Sequence, residues 1–98
     1  MTRQRARAYA RVMETLRGLG PAKLLPAEQE RIRSAADALL FSSSMATDES
    51  ARAAFLDVDA LCEHLVESGR WSAERAVELA NDLWACGPAL EETTTAAA

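Results

Sequence analysis

The side chains in this 98-residue sequence best suited to hold zinc or to serve as nucleophile or general base are Cys62, Cys86 and the single histidine, His64. A structural zinc site needs four converging ligands. Cys62 and His64 stand two positions apart, which on a helix turns them to nearly opposite faces, so they do not meet on one ion. A disulfide is disfavoured as well. If the segments carrying the two cysteines form a hairpin centred near Arg70, their axial offset is roughly 10 Å at about 1.5 Å per residue. A bridge tolerates a Cα separation of only about 7 Å. Both cysteines fall on or near apolar stripes and read as reduced, buried thiols. His64 lies among Asp57, Glu63 and Glu67, an ordinary solvated surface that offers a general base no nucleophile to activate. With no glycine-rich phosphate loop either, the sequence leads us to expect a non-enzymatic protein with no catalytic residue, metal or cofactor.

Charge carries more information than nucleophilicity here. Residues 1–25 contain Arg3, Arg5, Arg7, Arg11, Arg17 and Lys23 against only Glu14, a balance of +5 that leaves −9 for the remainder of a chain whose net charge is −4. Arg3, Arg7 and Arg11 follow one another at i, i+4 and i+8, and Glu74, Glu78 and Asp82 repeat the same spacing with opposite sign. Two such rows either complement each other inside the molecule or steer a partner. Like charges at this spacing weaken a helix slightly, and each row is also what a wet, solubilising face looks like. The N-terminal arginines, Arg3, Arg5, Arg7 and Arg11, could neutralise a few phosphates of a nucleic acid, although only Tyr9 is interleaved with them as an aromatic.

Apolar residues beyond the needs of a small core form the third candidate. Leu56 points away from its helical stripe, Leu79 widens the next one, and Trp71 and Phe41 sit at helix ends. Leu56, Trp71 and Leu79 read as anchors for a partner, with Glu74, Glu78 and Asp82 supplying orientation and encounter rate.

The elements that must position these groups are all helical. Alanine is abundant and Pro and Gly are scarce, which favours helix at nearly every position. The clearest pattern is Ala51, Phe55, Val58, Cys62 and Leu65, widened by Ala54, Leu61 and Val66, a stripe of alternating four- and three-residue steps that must be buried against other helices. We expect helices over about 2–17, 26–41, 48–68 and 73–86. Pro26 suits a first helical position. Thr47 and Ser72 are candidate caps, and Gly18, Gly69 and Gly87 are candidate stops. The second helix should bury Ile32, Ala36 and Leu39, and the fourth Ala73, Ala76, Val77, Ala80, Leu83 and Trp84. The first helix offers mostly alanine in its opening turns, so these should fray or be ordered by a partner.

The resulting expectation is an all-α protein, a small antiparallel bundle of four helices in a single domain over residues 1–90. The last three helices form its core, the first docks or projects, and residues 91–98 make a disordered tail. A helix-turn-helix is rejected for the last two helices, because the outward acids of the second would repel DNA phosphate. No run reaches the roughly 20 apolar residues that cross a bilayer, and no apolar signal-peptide core precedes the domain, so a cytoplasmic protein is expected without membrane contact. An Arg-rich, acid-free start is one property of a mitochondrial presequence, but serine is missing from it.

The function this favours is binding of another protein, as an adaptor, regulator or inhibitor of a larger machine, with a homodimer as one form. The alternative is nucleic-acid binding by the Arg-rich first helix. The size and chemistry suit a phage or mobile-element protein, and the Ala and Arg content a GC-rich bacterial genome, associations that no particular residue carries.

Overall fold

A computed structural model of the chain describes residues 2–19 and 23–88. They fold as a helical bundle of α1 (Arg3–Gly18), α2 (Pro26–Leu40), α3 (Glu49–Glu67) and α4 (Ala73–Cys86). The expected tail, residues 91–98, lies outside the described residues.

Three of the four helices begin at a residue whose side chain accepts from a free amide of the first turn. Thr2 accepts from the Arg5 amide through its Oγ1 at 3.2 Å, and Ser72 accepts from the Arg75 amide through its Oγ at 3.1 Å. Pro26 opens α2, and Glu28 folds back to accept from the Leu25 amide at 2.8 Å. The cap of α3 is Asp48, not Thr47. Its carboxylate takes the Ala51 amide at 3.0 Å, a stronger acceptor than a hydroxyl and one better matched to the positive helix end. That bond, the largest cause, holds the Asp48 carboxyl below its ordinary pKa. Gly69 stops α3 at φ +77°, the left-handed conformation that costs glycine nothing. Gly87 works differently: a Cβ there would lie 3.3 Å from Leu39 Cδ2, so the missing side chain is what lets the end of α4 approach α2.

The core is built from Val12 and Leu16 of α1, Ile32 and Leu39 of α2, Val58 and Leu65 of α3, and Leu79 and Leu83 of α4, all essentially buried. The α1 helix packs most extensively on α4, and α2 on α3, while α1 and α3 stand across the bundle from each other without contact. Partner numbers fall as α1 rises: Arg5 meets Cys86 and Arg11 meets Asp82. The opening turns of α1, expected to fray or to be ordered by a partner, are helical from Arg3 and contribute buried residues. Ala8 and Arg5 are buried there, and the long arginine reaches the core edge where an apolar residue would otherwise be needed.

The fourth helix also departs from its expected stripe. Its inward line is Ala76, Leu79, Leu83 and Cys86, whereas Val77 and Ala73 are rotated out and exposed. Phe55 and Trp84 are half-buried and meet edge to face, with ring centroids 4.8 Å apart. No helix among the described residues is long and apolar enough to cross a membrane.

Candidate functional site

Arg5 is the residue whose expected role changes most. It is 7% exposed and fans its guanidinium over the C-terminal ends of two helices. Nε donates to the Cys86 carbonyl at 2.8 Å, and Nη2 to the carbonyls of Leu39, Leu40 and Ser42, each at 2.9 Å. The last carbonyls of a helix have no intrahelical partners and carry the negative end of its dipole. One buried cation therefore caps α2 and α4 together, and Arg5 leaves the set of phosphate contacts. The sequence held the signal: Arg5 falls three, seven and eleven positions before Ala8, Val12 and Leu16, on the buried line of α1. Arg3 and Arg7 remain exposed on the other side.

The two charged rows meet, but at one point. Arg11 Nε donates to Asp82 Oδ1 at 2.8 Å across the α1–α4 contact. Glu78 borders a shallow depression with Thr15, Leu19 and Arg75 on the same side of α4, and Glu74 is exposed. Asp82 is thus engaged within the molecule. Of the three expected anchors, Leu56 stands on the surface at 63% exposure, whereas Trp71 and Leu79 are core residues at 4% and 1%. Trp71 packs beneath the α3–α4 turn and donates its indole N–H to the Lys23 carbonyl at 2.9 Å. Leu79 belongs to the inward line of α4. Neither can anchor a partner on this fold.

The chemistry-bearing residues stay separate. Cys62 and Cys86 are both free and buried, and burial, the largest cause, pushes each thiol up to about 11. His64 is exposed in the last turn of α3, and no three metal-ligating side chains converge among the described residues.

A groove between α3 and α4 was not anticipated. It has a volume of about 340 Å³ and an apolar interior, with Cys62, Ala76 and Ala80 beneath and Val66 and Val77 at the sides. Val77 is 57% exposed. Along its α3 border run Asp59, Glu63 and Glu67. Glu63 and Glu67 follow Leu56 by seven and eleven residues, so all three lie within about 20° of one line on α3. Leu56 therefore continues the border one turn beyond Asp59. On the other side, Trp84 follows Val77 by seven residues and packs edge to face on Phe55 of α3 beyond the groove's end. The sequence signal for the groove is the excess width of the α4 stripe, whose Ala73 and Val77 cannot face the same way as Leu79 and Cys86. Comparison with family models, with curated proteins and with solved structures finds no match to this chain.

Proposed function

We propose that this chain is a non-enzymatic helical protein that binds another protein, as an adaptor, regulator or inhibitor, through the groove between α3 and α4. The observation that supports this reading is the apolar groove itself, with the exposed Val77 standing in its wall and the exposed Leu56 beyond its end. Exposed apolar residues gathered beside a concave strip are what partner recognition uses, whereas scattered ones carry no meaning. An enzymatic role finds no comparable support. Thiols held at about 11 are protonated at neutral pH and are poor nucleophiles. Free buried cysteines also suit the reducing cytoplasm.

Nucleic-acid binding by α1 is the weaker reading, because Arg5 is spent on helix ends and Arg11 on Asp82. The two readings separate in affinity capture from the native host. Val77→Asp should abolish recovery of a protein partner that Arg3→Ala/Arg7→Ala leaves intact. Recovery of nucleic acid, lost in the arginine variant and kept in Val77→Asp, would reverse the assignment.

A further inference from the structure

We infer that the occupant of the α3–α4 groove is a basic amphipathic helix of another protein, an inference that rests on the protein-binding reading above. The first ground is shape. From Asp59 to Glu67 the groove's α3 border spans about 12 Å at 1.5 Å per residue, a little over two helical turns, and Leu56 lies one turn further on the same line. A groove between two helices with alanines at its base, Ala76 and Ala80, lets a third helix approach closely and insert large side chains at i, i+3 or i+4, and i+7 beside Val66 and Val77.

The second ground is charge. Asp59, Glu63 and Glu67 border the groove and have no ion-pair partner among the described residues, whereas Glu28, Asp57 and Asp82 are each held by an arginine of this chain. Three unspent carboxylates beside an apolar strip favour lysines or arginines flanking the inserted residues. They also repel phosphate, which sets nucleic acid and anionic lipid aside.

Among the described residues, a second copy of the chain offers no matching basic and apolar helix face. Its exposed basic face is α1, where Arg3, Arg7 and Arg11 are interleaved with Gln4, Ala6 and Ala10, and alanines do not fill an apolar groove.

The test uses the full chain and two fluorescein-labelled helical peptides of about five turns that share leucines at i, i+3, i+4 and i+7 and carry Lys in one and Glu in the other at the remaining positions. Fluorescence anisotropy should give binding of the Lys peptide at least about tenfold tighter than the Glu peptide. Val77→Asp should weaken the Lys peptide by at least about tenfold, and Glu63→Lys with Glu67→Lys should turn the preference toward the Glu peptide. All three positions are exposed, and far-UV circular dichroism identifies a variant that fails to fold. Equal affinities, binding of neither peptide, or binding indifferent to Val77→Asp overturns the inference. Self-association that Val77→Asp abolishes assigns the groove to a second copy and overturns it too. If neither peptide binds while Val77→Asp still loses the captured protein, the basic-helix inference fails and the protein-binding reading stands.

Discussion

Arg70, the residue after the left-handed glycine, reaches back to Glu28 in the first turn of α2 and holds its carboxylate with two donors, Nη1 to Oε2 at 3.0 Å and Nη2 to Oε1. Glu28 thereby serves two purposes. It also accepts from the Leu25 amide, so the start of α2 and the α3–α4 turn are fastened to one side chain.

The bond from Arg70, more than any other cause, lowers the Glu28 carboxyl below its ordinary 4.5. Asp57, bound by Arg31, and Asp48, bound by the Ala51 amide, are lowered likewise. A carboxyl whose folded pKa is depressed contributes stability that is present above its unfolded pKa and lost as pH falls through the folded value. Urea unfolding should therefore show stability falling as the pH drops below about 4.5. In Arg70→Ala that fall should be shallower, because Glu28 no longer contributes to it. An unchanged acid limb in this variant would contradict the role given to the pair.

Arg5 should be the most costly arginine to replace. Arg5→Ala leaves the final carbonyls of α2 and α4 without their shared donor at a buried site, and should destabilise the fold by about 3 kcal/mol. Arg5→Lys should recover little, since an ammonium cannot present the guanidinium fork to acceptors on two helices. Arg11→Ala, which loses a pair whose arginine is half exposed, should cost less than about 1 kcal/mol. Chemical denaturation of the three variants checks the order.

The thiols predict an alkaline limb. Burial raises Cys62 and Cys86 from 9.0 to about 11. A group with a raised folded pKa contributes stability that is present below the unfolded value and lost as pH rises through the folded one. Stability should decline between about pH 9 and 11. Tyr9 adds to the same trend, because its hydrogen bond to Asp37, with burial second, raises its phenol. At pH 8, iodoacetamide should label both cysteines on the order of 100-fold more slowly in the native chain than in urea. Rapid native labelling would show that the helices open locally.

Helix number, the approximate bounds, the Ser72 cap and the Gly69 stop are legible in the sequence because they depend on local chemistry and on a 3.6-residue period. The core lines of α2 and α3 are legible for the same reason. The burial of Trp71 and Leu79 is not legible there, because hydrophobicity alone does not say which side of a helix its neighbours occupy, and that is fixed only when four helices pack. The charge of Arg5 points to solvent, whereas its spacing from Ala8, Val12 and Leu16 places it inside. The groove belongs to neither helix singly. Asp59, Glu63 and Glu67 look like any wet face until α4 sets Val77 beside them.

The hydrogen bond between Arg5 and Cys86 spans 81 positions of chain. During synthesis, at roughly 5 to 20 residues per second, Arg5 therefore waits about 4 to 16 s for that acceptor to be made. In that interval α1 has α2 to rest on, through the Leu39, Leu40 and Ser42 carbonyls that Arg5 also reaches and through Tyr9 and Asp37, but Ala8, Val12 and Leu16 have no α4 against them.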